Sequence, residues 1–203
     1  MPCGRLRHAK QWRFRGRESG QGLVEFALVG SLFFFLIFSI VNAGFFLFGR
    51  NAVQHAADIG VAAIAAEGDC SNGSNCTGSD ADQVGISRMG SAGLKTTPLI
   101  KVTEIDVWHE VQSSSGVLSD DNTCDTNGDG PGTGSSACEN KYDVNGNILN
   151  SGGKIPWPPS VRNVTHTSAD YAKLVITYKY TLLVGTTTFT LSTNNTFRLE
   201  PQT

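Results

Sequence analysis

The residues of this 203-residue chain that are spaced for chemistry point to metal binding, cross-linking and charge pairing. Asp125-Thr-Asn127-Gly-Asp129-Gly130 matches the first half of a calcium loop. Its alternating oxygens can face one cation, and the last Gly permits a sharp turn. The twelfth position is Ser136 rather than a bidentate Glu, so the EF-hand pattern stops halfway. Asp120, Asp121, Glu139 or Asp143 would have to complete an irregular cage. Asp143-Val-Asn145-Gly-Asn147 is a weaker echo of the same motif. The competing reading is a solvated turn, because Asp, Asn and Gly are turn residues. Calcium is the candidate ion, and no cofactor is required.

Five cysteines are present. Cys3 lies in the basic N-terminal stretch. Cys70, Cys76, Cys124 and Cys138 allow three pairings. Cys70–Cys76 and Cys124–Cys138 are favoured, since each would close a Gly/Ser/Asn-rich loop with little apolar surface to order it. Five and thirteen residues separate these partners, with no C-x2-C, which argues for disulfides over a zinc site. The four His (His8, His55, His109, His166) show no metal-ligand spacing and read as surface or strand residues. No P-loop, H-E-x-x-H or G-x-S-x-G pattern occurs, and no nucleophile–base constellation is visible. The expectation is a protein that is not an enzyme.

One carboxylate stands out. Glu25 sits at the edge of the run Phe26–Phe48, 23 residues without a charge that hold eight of the eleven Phe. An unpaired carboxylate there is costly. As a helix the run extends about 35 Å, enough for a hydrocarbon core of about 30 Å. Ser31, Ser39 and Asn42 do not make a polar face, so a buried soluble helix fits poorly and a membrane span fits well. Six Lys/Arg precede it within residues 1–20, which carry a net +5, whereas residues 21–203 carry a net −7. The positive-inside rule then puts the N-terminus in the cytoplasm and the body outside, in a single-pass membrane protein. The overall net charge of −2 excludes a strongly basic nucleic-acid binder.

The elements that must position these residues follow from pattern. No Pro occurs between Pro2 and Pro98, so one helix can run from about Leu23 to Glu67, with Gly68 as its stop. Beyond Gly68 the pattern reads as β. Ile105, Val107 and Val111 share one parity, with His109 interrupting. Residues 174–184 alternate, residues 189–199 form the next run, and Gly185 between them suggests a hairpin. Residues 112–156 are rich in Ser, Gly, Asn and Asp, and suggest a surface excursion or partial disorder. The expected fold class is α+β, with a long N-terminal helix packed by its outer half on three or four antiparallel strands.

The stretch Ser19-Gly20-Gln21-Gly22-Leu23-Val24-Glu25-Phe26 resembles a class III, prepilin-type signal. In that family a basic leader ends in Gly, and the mature chain has Glu at its fifth position and an aromatic next. A cut between Gly20 and Gln21 places Glu25 and Phe26 there. The resemblance implies that a membrane prepilin peptidase removes residues 1–20 and that the helix stays on the mature chain. It also implies that Glu25 offsets the terminal ammonium of a neighbouring subunit. Residues 50–66 and about 172–200 look like TadE-type pseudopilins of the tight-adherence (Tad/Flp, type IVb-like) pilus. The mature length of 183 residues (203 − 20) favours a minor pilin. Implied partners are other pilus subunits packed against Phe33, Phe34, Phe35, Phe38, Phe45 and Phe46, the prepilin peptidase, the inner-membrane assembly platform and the membrane, with no nucleic acid. The implied role is pilus biogenesis and surface adhesion. The rival reading is a signal-anchored extracytoplasmic protein outside any filament, binding calcium or another ligand. A simple anchor needs neither Gly20 nor Glu25.

Overall fold

A computed structural model of the chain describes residues 18–68, 80–164, 169–183 and 186–200. The chain divides into two units, with the boundary between Ala43 and Gly44. Helix α1, Glu18–Glu67, contributes to both.

In the first unit the described residues are all helical, and the large apolar side chains from Leu23 to Val41 are exposed. The polar side chains of this stretch bond to their own helix. Ser31 Oγ donates to Leu28 O, Ser39 Oγ to Phe35 O and Asn42 Nδ2 to Phe38 O, each at 2.9 Å. A helix that satisfies its own donors is suited to hydrocarbon, where an unpaired polar group costs several kcal/mol. By length and composition this is one helix able to cross a membrane.

In the second unit the helix is built differently. Val53, Ala56, Ala57, Gly60 and Ile64 are buried, at spacings that place them on one face. Val53, Ala56, Ala57 and Ile64 join a core with Ile105, Val107, Leu174, Ile176 and Tyr178 of the sheet. The sheet comprises β1 (Ile100–Gln112), β2 (Leu118–Asp120), β3 (Glu139–Tyr142), β4 (Tyr171–Thr181) and β5 (Thr188–Arg198). All pairings are antiparallel, in the order β2-β1-β4-β5, and β3 shares the β2 side of β1. The β4–β5 hairpin runs in unbroken register from Tyr171↔Arg198 to Thr181↔Thr188. Alternation is clean on β4, where Ala172, Leu174, Ile176, Tyr178 and Tyr180 are buried.

The helix is also tied to β5 by polar groups. Gln54 Nε2 donates to Asn195 Oδ1 at 2.8 Å, Asn195 Nδ2 to Asp58 Oδ1 at 2.6 Å, and Thr193 Oγ1 to Gln54 Oε1. Gly68 stops the helix at φ +43°, with its N–H on Ile64 O. The Glu200 N–H reaches Ala65 O, so the chain just past β5 helps cap the helix.

Three expectations need correction. The β pattern does not begin directly after Gly68, because helix α2 spans Asp80–Met89 and a π-helical turn follows at Gly90–Leu94. Its buried face includes Ala81, Asp82, Gly85, Ile86 and Met89, and the buried Asp82 and central Gly85 blur the apolar period. The sheet has five strands rather than three or four. Residues 112–156 hold β2, β3 and the Cys124–Cys138 disulfide. Order there comes from backbone bonds, including the paired bonds between Cys124 and Ser136, and from a cross-link of about 3 kcal/mol in the chain-entropy account.

Candidate functional site

The residues singled out in sequence fall mainly into two places, and the fold builds a third. At the start of α1, Gln21 Nε2 donates to Glu25 Oε1 at 3.2 Å, one helical turn apart. Gly20 lies near the start of the described helix, and a Cβ built there would meet nothing within 4 Å. Gly is a poor helix former, so the helix is locally weak at Gly20. Phe26 is exposed, as are Phe33, Phe34, Phe35, Phe38 and Phe45. Phe46 differs, because its ring sits edge-on to Tyr180 at 5.3 Å in the same chain.

The Asp125 loop is the second place. Asp125 Oδ1 accepts from the N–H groups of Asn127, Gly128 and Asp129, at 3.0, 3.2 and 3.3 Å. Asn127 Nδ2 donates to Asp125 Oδ2 at 3.1 Å, while Asp129 is exposed. Desolvation acts against the charged carboxylate but is outweighed by these donors, which hold it below the usual range. Asp143 repeats the device, accepting from Asn145 N at 2.7 Å and Asn147 N at 2.9 Å. In both loops the Asp side chain holds an Asx-type turn.

The third place has no signature in linear spacing. His109 is buried on β1, with Nδ1 2.7 Å from Asp121 Oδ2 and Nε2 3.6 Å from Asp170 Oδ1. Burial alone would lower the imidazole pKa, but the two carboxylates outweigh it and hold it above normal. Asp121 Oδ1 accepts from Thr123 N at 2.9 Å and Thr123 Oγ1 at 2.7 Å. A ring nitrogen of His109, an Asp121 oxygen and Cys138 Sγ lie within 4.8 Å of one another. Cys138 is disulfide-bonded to Cys124, as expected. Cys70 and Cys76 lie outside the described residues. The available signal was parity: His109 shares the buried face of Ile105 and Val107, where a His needs polar partners.

Below this cluster, Trp157 is fully buried against His109 at 4.8 Å and under the Arg162 guanidinium at 4.3 Å. Arg162 NH2 donates to Asp82 Oδ2 at 2.7 Å. Asn140 Nδ2 and Tyr142 OH donate to the same oxygen, at 3.0 and 2.9 Å. Burial and the Asp82 charge push the Tyr142 phenol up. This network ties α2, β3 and the chain after Pro159 together.

No curated protein and no solved structure matches the chain. A family model, that of TadE-like protein, matches residues 20–62. The match covers the Gly20–Phe26 cluster, the whole exposed apolar stretch and most of the buried helix face. The long helix of this chain is therefore a TadE-like segment, joined to an α+β head that the family match does not reach.

Proposed function

We propose that this chain is a minor pilin, or pseudopilin, of a tight-adherence pilus, assembled through its apolar helix. The observation that carries the reading is the Phe-rich surface of α1, exposed from Phe26 through Phe45 within a TadE-like segment. An apolar surface of this extent needs lipid or other helices around it. The chain enters the membrane with its basic N-terminus in the cytoplasm. A prepilin peptidase cuts between Gly20 and Gln21, beside a residue that is a poor helix former. Gln21 then carries a new ammonium group, and Glu25 pairs with that group on a neighbouring subunit. Two opposite charges enter a low-dielectric bundle far more cheaply together than apart. The Gln21–Glu25 bond is exposed, so little opposes this exchange of partners. The head then sits outside the membrane, available for contacts at a surface. This is a structural role without catalysis.

The test is intact mass and N-terminal sequence with and without a cognate prepilin peptidase. A peptidase-dependent chain beginning at Gln21 supports the reading. A chain still beginning at Met1, beside a control substrate that is cut, refutes it and leaves a signal-anchored extracytoplasmic protein. Glu25→Ala should be cut at the same bond, giving a chain that begins at Gln21, yet fall at least about tenfold in sheared pili, from loss of roughly 1.4 kcal/mol or more of pairing. Wild-type amounts in pili would sink the role given to Glu25.

A further inference from the structure

The Cys124–Cys138 disulfide lies against polar groups arranged as metal ligands. Two thiolates, an imidazole and a carboxylate form a ligand set that zinc accepts in tetrahedral sites. Here Cys138 Sγ, a His109 ring nitrogen and an Asp121 oxygen lie within 4.8 Å of one another, and Cys124 Sγ is bonded to Cys138 Sγ. The supporting shell is also present. Zinc-bound histidines commonly donate their second N–H to a carboxylate, and Asp170 Oδ1 stands 3.6 Å from His109 Nε2. Thr123 holds Asp121 Oδ1 through its N–H and hydroxyl, which aims Oδ2 at His109. Nδ1 and Oδ2 are now 2.7 Å apart. Tetrahedral zinc bonds of about 2.0–2.1 Å would set them about 3.3 Å apart, a shift of well under 1 Å. A cleft lined by His109, Glu110, Asp170, Tyr171 and Arg198 opens beside the ring. Linear spacing argued against zinc because it saw only the cysteines; folding adds His109 and Asp121.

We propose that the reduced chain binds one zinc ion at Cys124, Cys138, His109 and Asp121, so that the same pocket holds either a disulfide or a metal. A dithiol reductant breaks the S–S bond, which takes up two electrons and two protons as the dithiol closes to its own disulfide. Zinc displaces both thiol protons to solvent and forms two Zn–S bonds. His109 joins as neutral imidazole through Nδ1, giving up any extra proton, and Nε2–H donates to Asp170. The metal-bound state is open to the chain before its thiols are oxidised, and zinc there protects them from mispairing.

The experiment uses the full chain in detergent, with Cys3, Cys70 and Cys76 replaced by Ser, and cobalt(II) as the optical probe. The reduced chain should bind one equivalent, with tetrahedral ligand-field bands and thiolate-to-cobalt charge transfer, both abolished by zinc. The oxidised chain should show neither. Asp170→Asn should weaken cobalt binding about 10- to 100-fold. His109→Ala and Asp121→Asn should each weaken it further and change the ligand-field bands. Zinc should also slow reoxidation of the Cys124–Cys138 pair. Absence of tetrahedral bands from the reduced chain overturns the proposal. So does cobalt affinity unchanged in His109→Ala, Asp121→Asn and Asp170→Asn, which would mean that thiols of an unfolded chain hold the metal. If reduction unfolds the head, seen in near-ultraviolet circular dichroism, zinc must restore the fold, and failure to do so is equally decisive.

Discussion

Gly85→Ala sets two effects of known sign against each other at the contact between α1 and α2. Ala is the better helix former by about 0.5–1 kcal/mol, so propensity alone predicts stabilisation. Packing predicts the reverse. A Cβ at Gly85 would lie 2.3 Å from Ile64 Cγ1, 2.8 Å from Ile64 Cδ1 and 3.1 Å from Gly60 O. Ile64 is wholly buried, and a β-branched side chain in a helix has essentially one χ1 rotamer, so it cannot swing away. The Gly60 carbonyl belongs to the helix backbone. Overpacking of this kind costs about 1–3 kcal/mol, and two rigid neighbours place it in the upper half of that range. The expected net loss is about 1–2.5 kcal/mol. Urea denaturation of the full chain in detergent, followed by Trp fluorescence, should show a lower midpoint with an unchanged slope. Ile64→Ala alone leaves a cavity and costs about 2–5 kcal/mol. In the double variant the new methyl enters that cavity, so the pair should be less damaging than the sum by about 1 kcal/mol or more. A raised midpoint for Gly85→Ala, or additivity within about 0.5 kcal/mol, refutes the close-contact account.

Two other perturbations probe the buried charges. Asp106 is pushed up to about 7, first by burial and then by the charge of Glu104, with Lys141 opposing. The folded state therefore holds its proton more tightly than the unfolded chain does. The stability this contributes is full below about pH 4 and is lost as pH rises to about 7. Denaturation midpoints at pH 5 and pH 8 should differ less in Asp106→Asn than in the wild type; an identical difference would refute the assignment. Arg162→Ala leaves the Asp82 carboxylate buried without its guanidinium partner and should cost about 3–5 kcal/mol. Arg162→Ala combined with Asp82→Asn should recover part of that loss, and a double variant no better than the single one would count against the ion pair.

Much of this architecture is legible along the chain, for particular reasons. The exposed helix from Leu23 to Val41 is visible because a membrane-type run needs only length and the absence of charge. The β4–β5 hairpin is visible because β4 alternates over its eleven residues and Phe189, Leu191 and Phe197 of β5 share one parity. Helix α2 was not, since its buried face carries Asp82, which is tolerated only because Arg162, Tyr142 and Asn140 converge on it from other elements. The Asp125 motif carries two readings in sequence, a calcium loop and a solvated turn, because the same carboxylate spacing serves both. In the structure Asp125 Oδ1 accepts from the N–H groups of its own turn, an arrangement compatible with either.

What the sequence by itself determined is local and one-dimensional: the apolar span and its flanking charge, the Gly20–Phe26 cluster that resembles a prepilin signal, and the stop of α1 at Gly68. Such features depend on neighbours in the chain, so spacing and composition suffice. Tertiary structure alone decided the His109 cluster. Residues 109, 121, 138 and 170 come together because β3 and β4 both pair with β1, while the Cys124–Cys138 cross-link draws the intervening loop back onto it. No local pattern records that convergence, because strand pairing is chosen by the burial of a whole sheet face rather than by the residues that meet there.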